Sequence, residues 1–248
     1  MVSCVTALTR KRLVKIPLWT ALLFPMAFLF FVACSSSDPP DSTVSLESLS
    51  GTEIVSRASD ALAAVSTFRF TLSHDEGNTV LTNGIEVQKV TGTALMPDRY
   101  TLDADTLVAG FFVNTQVILI DQDTYMTNPI TRIWQQLEPG TSPFGSFNPA
   151  WLVANILAQV ENPVSSSSTN QGEYVVTGKL PAVVLKSLTG GVDESAPDLD
   201  VRVTVDGDSF VPVGARITGR ATSAEQGDLV RTVRLFEFNT AITIEPPI

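Results

Sequence analysis

The chain has 248 residues, of which 44% are hydrophobic and 17% are charged, and its formal net charge is −10. Because the chain is acidic and has no basic patch, we exclude a nucleic-acid-binding role. One histidine and two cysteines are too few for a zinc cluster or for a scaffold held by disulfides. The length suits one large domain or two small ones, and all-β domains of this size are common.

The N-terminal segment has the three parts of a secretory signal. Four basic residues lie within the first 15 positions, an apolar run covers residues 16–33, and Cys34 follows directly. Residues 31–34 read Phe-Val-Ala-Cys and resemble the lipobox of bacterial lipoproteins, with Phe31 in place of the usual leucine. The resemblance implies cleavage before Cys34 and attachment of acyl chains such as palmitate to that cysteine. The alternative is a permanent transmembrane helix, although two prolines interrupt the apolar run.

The cleavage site divides the chain into three predicted parts. Residues 1–33 are a signal peptide, residues 34–50 are the lipidated cysteine and a flexible Ser/Asp/Pro-rich tether, and residues 51–248 form a single domain. The chain from Cys34 onward has 12 basic and 26 acidic residues, and so a net charge of −14. About 200 residues are ample for one hydrophobic core.

A first helix is predicted directly after the tether. Ser50 and Glu53 match a capping box, in which each side chain satisfies a backbone N–H of the other residue. Ile54, Ala58 and Leu62 follow at helical spacing and form one apolar stripe.

The pattern then changes to the two-residue period of strands. Phe68 and Phe70 alternate with polar residues, and Asn83-Gly84 is typical of a hairpin turn. The most apolar of the predicted strands covers residues 111–120. The ten predicted strands are 68–73, 85–95, 99–105, 111–120, 124–127, 133–137, 173–180, 199–205, 210–219 and 229–244.

Two further helices interrupt the series of strands. Asn148 is a good N-cap and Pro149 a good first residue for a helix over residues 150–160. This helix has almost no polar face, which predicts that it is buried on both sides or that it faces something apolar other than protein. Pro181 starts a short third helix over residues 181–188.

Strands joined by short turns, with a few helices inserted, predict an α+β fold with an antiparallel sheet. A sheet of about ten strands coils into a half-barrel, and two to three helices would cover its concave face around an apolar cavity. An ordinary large core is the simpler explanation for any single apolar residue. The candidate cavity residues are Ile54, Ala58, Leu62, Val117, Leu119, Leu152, Ile156 and Val160.

The search for catalytic residues finds no specific motif. His74 continues the apolar alternation of its strand, and neither a nucleophile elbow nor a triad partner accompanies it. We therefore expect a structural histidine. Asp206-Gly207-Asp208 and Asp121-Gln122-Asp123 lack the spacing of a calcium loop and are typical of hairpin turns. The sequence predicts a non-enzyme without metal or cofactor.

Several elements together resemble the LppX/LprG family of lipoproteins. They are the lipobox cysteine, the tether, the helix at residues 54–62, the strand opening at 65–70, Trp134, the helix start at 148–152 and the turn at 204–207. The resemblance is a pattern of elements over most of residues 50–245. It implies a half-barrel related in shape to LolA and LolB, with helices over an apolar cavity. It also implies binding of acylated glycolipids or lipoproteins and their transfer across the envelope.

We therefore expect a lipoprotein on the extracytoplasmic face of a membrane, anchored through Cys34, that binds and carries an acylated lipid or glycolipid. A membrane transporter is a further candidate partner. The alternative is an envelope sensor or interaction module of the same fold that regulates a membrane partner. A secreted hydrolase would need a polar cluster in the cavity, which the single histidine disfavours.

Overall fold

The computed structural model describes residues 48–144, 147–166 and 172–247. The predicted signal peptide, Cys34 and nearly all of the tether lie outside the described residues. The helices are α1 (Gly51–Ala63), α2 (Pro149–Gln159) and α3 (Lys186–Thr189), and a 3₁₀ turn (Ala182–Leu185) leads into α3. The strands are β1 (Thr67–Glu76), β2 (Thr79–Val80), β3 (Glu86–Leu95), β4 (Arg99–Val108), β5 (Phe111–Ile120), β6 (Asp123–Thr127), β7 (Trp134–Leu137), β8 (Glu161–Ser166), β9 (Glu173–Leu180), β10 (Leu199–Asp206), β11 (Pro212–Thr218) and β12 (Val230–Phe236).

All twelve strands belong to one antiparallel sheet, and the predicted α+β fold class is confirmed. The order across the sheet is β7-β6-β5-β4-β3-β1-β12-β11-β10-β9-β8, with β2 paired to β3. Two meanders therefore meet at β1. The first meander runs from β1 through β3 to β7, and the second runs from β8 to β12. β1 pairs with β3 on one side and with β12 on the other. In the described chain β7 and β8 are the two edges of this path, so the sheet is open.

The alternation predicted from the sequence sets the two faces of this sheet. In β1, Phe68, Phe70 and Leu72 are buried on the inner face, whereas Arg69 is exposed on the outer face. β10 repeats the pattern with four buried apolar residues at every second position. Because side chains alternate between faces along a strand, one face of the sheet is apolar and must be covered.

The helices cover that inner face, and their caps fit the prediction. Ser50 Oγ accepts a hydrogen bond from the Glu53 N–H at 3.2 Å, and Asn148 Oδ1 accepts from the Ala150 N–H at 2.9 Å. α1 packs on β8, β9 and β11 and also contacts α2. At the start of α1, a Cβ on Gly51 would lie 2.3 Å from the Pro163 carbonyl oxygen, so only glycine allows this close approach.

Some boundaries differ from the sequence prediction. β8 follows α2 directly, in a polar stretch where no strand was predicted, and its pairing with β9 explains its presence. β2 is a two-residue strand before the Asn83-Gly84 turn. The last strand ends at Phe236 and not at residue 244, because the chain beyond it has no strand pairing.

A buried polar network connects the centre of the sheet to the loop before β12. The Arg231 guanidinium pairs with the Glu225 carboxylate, and neither side chain is exposed. Arg231 Nε also donates to Thr79 Oγ1 at 2.9 Å, and His74 Nε2 lies 2.8 Å from the same hydroxyl. His74 Nδ1 lies 2.8 Å from the Gln88 carbonyl oxygen. The histidine thus has structural partners on β2 and β3.

Candidate functional site

The eight candidate cavity residues meet in one apolar cluster between the helices and the inner face of the sheet, which we call the inner layer. Six of them are buried, and Leu119 and Val160 are partly buried and pack against the same cluster. α1 contributes Ile54, Ala58 and Leu62, α2 contributes Leu152 and Ile156, and β5 contributes Val117 and Leu119. The two regions that the sequence singled out as apolar thus contribute to one hydrophobic cluster.

The inner layer is filled by the protein's own side chains. Ile54 and Ala58 are 0% exposed, and Ile156 is 1% exposed. A void large enough for water beside these side chains would leave part of their surface accessible, so no such void touches Ile54 or Ala58. An acyl chain in this layer would therefore need the helices to separate from the sheet. The assignment of these eight residues to a ligand site remains a prediction.

Aromatic residues that were not among the candidates complete the inner layer. The ring of Phe147 lies 6.4 Å from those of Phe70 and Tyr100, between the start of α2 and the first meander. Burial raises the pKa of Tyr100 to about 12. Alternation along β1 and β4 would have identified Phe70 and Tyr100 as inward-facing residues, but no local pattern marks Phe147, which lies in a loop.

The outer side of α2 is exposed in the described part of the chain. Of the two alternatives that the sequence left open for this helix, burial on both sides does not occur, because Trp151 is 58% exposed and the next turns expose Ala154, Asn155, Ala158 and Gln159. The apolar residues on this exposed side are two alanines and one tryptophan. The helix buries a single face, formed by Leu152, Val153, Ile156 and Leu157 and its first residues.

An open groove of about 390 Å³ lies on the outer face of the first meander. Threonines from β1, β3 and β4 form much of its floor, Asp103 and Gln116 add polar groups, and Trp134 and Phe236 contribute aromatic surface. Val117 is the one cavity candidate that borders this groove. Its strand, β5, forms part of the groove, while its side chain belongs to the inner layer. A second groove of about 430 Å³ lies between α2 and the α3 region.

The described part of the chain offers little for chemistry. Within residues 48–144, 147–166 and 172–247, no three histidine, cysteine or acidic side chains lie close enough together to hold a metal. No helix in those residues is long and apolar enough to cross a membrane. The Asp206 carboxylate accepts hydrogen bonds from the Ser209 hydroxyl and N–H, which lower its pKa and close the predicted hairpin turn.

An open antiparallel sheet whose concave face is covered by helices defines a half-barrel fold. The family model described as LppX_LprAFG lipoprotein matches residues 50–244. The chain therefore belongs to the LppX_LprAFG lipoprotein family, as the sequence predicted. A comparison with curated protein sequences found no match.

Solved structures that are similar to this chain have very different sequences. LprF from Mycobacterium bovis is 13% identical with a TM-score of 0.61, over 79% of this chain and 96% of LprF. The lipoprotein LppX from Mycobacterium tuberculosis is 12% identical with a TM-score of 0.53, over 78% of this chain and 97% of LppX. A LolA superfamily protein from Nitrosomonas europaea is 11% identical with a TM-score of 0.29, over 79% of this chain and 95% of its own. The first two similarities establish the fold.

Proposed function

We propose that the protein binds an acylated lipid or glycolipid in the inner layer and carries or transfers it without catalysing a reaction. The observation that carries this proposal is the apolar layer between two helices and the concave face of an open sheet. Membership of a lipoprotein family supports it. The sequence adds the anchor, since acyl chains on Cys34 would hold the domain at the extracytoplasmic face of a membrane.

Binding would exchange contacts among side chains for contacts with an acyl chain. Burial of each CH₂ contributes about 0.8 kcal/mol, so a palmitate-length chain contributes roughly 12 kcal/mol, against the cost of parting the helices from the sheet. The open edges at β7 and β8 allow the sheet to change its curvature without breaking a closed ring of hydrogen bonds. We expect the α1–α2 layer to move outward when lipid enters.

The direct test compares two preparations: the protein purified from its native membrane, and the compact anchorless unit 43–248, which lacks Cys34 and is purified from the secreted fraction. Both are extracted with organic solvent. We expect mass spectrometry to find an acylated lipid at close to one molecule per protein in the anchorless unit, which has no acyl chain of its own. An anchorless unit without lipid, and unable to take up lipid from vesicles, would contradict the proposal.

The position of the ligand is tested separately with a photoactivatable fatty acid. We expect cross-links in peptides that contain residues 54–62, 117–119 and 152–160, and we expect unlabelled lipid to compete them away. Heat-unfolded protein serves as the control for nonspecific labelling. Cross-links confined to Trp134 and Phe236 would instead place the ligand in the outer groove and show that the eight candidates are wrong.

A further inference from the structure

One end of the sheet carries an unusual concentration of exposed apolar side chains. Of the nine large hydrophobic side chains that are exposed in the described residues, five lie there: Val108, Phe111 and Phe112 in the β4–β5 hairpin, and Ile130 and Ile133 in the β6–β7 loop. Phe111 is 75% exposed and Ile130 is 90% exposed. We call these five residues the apolar tip.

The two parts of the apolar tip are adjacent. β5 runs away from the hairpin turn and β6 returns beside it, so that the β6–β7 loop lies at the same end of the sheet. The Arg132 guanidinium in that loop donates to the Asn114 carbonyl oxygen at 3.0 Å and to its side-chain oxygen at 2.9 Å. Asn114 is three residues from Phe111, about 10 Å along the strand.

The β4–β5 hairpin ends in a tight turn that has no charged residue beside it. Ala109 and Gly110 both have positive φ, as a tight two-residue hairpin turn requires. Residues 106–113 contain no charged side chain. The hairpin therefore presents hydrophobic surface to solvent, and not the charges that protect most exposed strand ends.

The apolar tip is exposed on both faces of the hairpin. Val108 pairs with Phe111, and Leu107 pairs with Phe112, so the two phenylalanines project from opposite faces. A protein surface docked against the hairpin would cover one of these faces and leave the other in water. Immersion in the apolar part of a bilayer covers both at once, as amphipathic segments do at a membrane interface.

The predicted anchor makes this contact attainable. From Cys34 to Ser48 the chain spans at most about 46 Å, at roughly 3.3 Å per residue. A domain of this size has a radius of gyration of about 16 Å, so the tether allows any face to reach the membrane. Tethering also raises the effective concentration of the domain at the bilayer and so strengthens this contact.

We propose that the apolar tip inserts into the membrane surface and orients the domain for lipid uptake or delivery. The role of the tip in lipid uptake or delivery rests on the proposed function. The chain from Cys34 onward carries a net charge of −14, so insertion is driven by apolar burial and opposed by anionic lipids.

The test uses the unit 43–248, which contains every described strand and helix and the whole described core. Vesicles of neutral phosphatidylcholine are sedimented with the wild-type unit, with the Phe111→Ser/Phe112→Ser variant and with a matched Val164→Ser/Val183→Ser control. Val164 and Val183 are similarly exposed but lie elsewhere on the surface. We expect at least a tenfold weaker association for the phenylalanine variant, a change below twofold for the control, and no loss of wild-type binding in high salt.

Equal binding of the two variants, or no binding by the wild type, would overturn the inference. So would a dimer in light scattering that dissociates in the phenylalanine variant, because a second copy would then cover the tip. Because all four substituted side chains are exposed, we expect thermal unfolding to be nearly unchanged. Lipid extracted from the wild-type unit separates the two proposals, since its lipid content reports on the proposed function whether or not the tip binds vesicles.

Discussion

The Arg231 guanidinium and the Glu225 carboxylate form an ion pair with no solvent exposure on either side chain. The pair joins β12, the strand beside β1 at the centre of the sheet, to the loop that precedes it. Glu225 also accepts hydrogen bonds from the Val80 N–H at 3.2 Å and from the Ala221 N–H at 2.8 Å. Arg231 donates further to the Gly219 carbonyl oxygen at 2.9 Å. Both charges are thus compensated where water is absent.

Removal of one partner of this pair is expected to be strongly destabilising. In Glu225→Ala, the Arg231 charge stays buried without its counter-ion, and we expect the free energy of unfolding to fall by about 3–5 kcal/mol. The exposed Lys179–Asp200 pair provides the control, because Asp200→Ala should cost less than about 1 kcal/mol. Urea unfolding measures both. Similar losses in the two variants would show that burial of the Arg231–Glu225 pair does not increase its contribution to the free energy of unfolding.

Stability is expected to decrease in mild acid because of His74. Burial is the main cause that lowers the pKa of His74 below its ordinary value of 6.5, and the nearby Arg231 charge adds to it. The unfolded chain therefore takes up this proton at a higher pH than the folded chain does. The contribution of His74 to stability is complete above pH 6.5 and is lost as pH falls through the lowered pKa of the folded state.

We expect urea unfolding between pH 7.5 and pH 5 to show this loss in the wild type, and His74→Gln to remove the part of the slope that the histidine causes. Carboxylates contribute their own slope at lower pH, so the comparison is made between variants at each pH. If His74→Gln has the same pH dependence as the wild type, the neutral histidine does not contribute as described.

Gly92 is expected to tolerate no larger residue. A Cβ at this position would lie 2.2 Å from the Thr101 carbonyl oxygen and 2.5 Å from Cζ of Phe70. Because the nearest atom belongs to the backbone of β4, a rotamer change of Phe70 does not remove the clash. We expect Gly92→Ala to lower the free energy of unfolding by about 3 kcal/mol, at the upper end of the typical cost of overpacking.

Gly227→Ala is the matched control for Gly92→Ala, since no atom lies within 4 Å of its Cβ position and its φ is not positive. We expect this substitution to change the midpoint of thermal unfolding little. If Gly92→Ala is equally mild, the ring of Phe70 and strand β4 are less closely packed than the structure shows.

The two faces of α2 are expected to respond differently to truncation. Ile156 is buried in the inner layer, so Ile156→Ala should cost about 2–5 kcal/mol through lost burial and the cavity it leaves. Trp151 lies on the exposed face, and Trp151→Ala should cost about 1 kcal/mol or less. Chemical denaturation measures both variants. A large loss for Trp151→Ala would indicate that a partner or another segment covers the outer face of this helix.

Much of the fold was predictable because its signals are local. The capping residues Ser50 and Asn148 start their helices, the alternation around Phe68 and Phe70 marks the inner face, and the turns at Asn83-Gly84 and Asp206-Gly207 join strands. Each signal depends on backbone geometry within a few residues. The family pattern followed from the order of these elements, and the family match confirms it.

The candidate site was predictable only in part. Apolar composition placed Ile54, Leu152 and Val117 in one layer, because hydrophobic side chains must be buried somewhere. Composition did not distinguish a filled layer from an open cavity, since that depends on how closely the side chains pack. It also did not reveal that the strand over residues 111–120 begins with two exposed phenylalanines, because exposure depends on which other elements lie against each face at that end of the sheet.

The amino-acid sequence by itself determined the leader and lipobox pattern, the positions of the helices and most strands, and the face that most of the predicted strands bury. Only the tertiary structure decided that β1 lies between β3 and the distant β12, that Arg231 and Glu225 are buried together, and that Phe147 closes the inner layer. The physical reason is the range of the interactions. Caps, turns and alternation act between residues a few positions apart. Strand order, charge burial and packing depend on contacts between distant residues, such as Arg231 and Thr79 at 152 positions or Phe147 and Phe70 at 77 positions, which form only when the whole sheet is assembled.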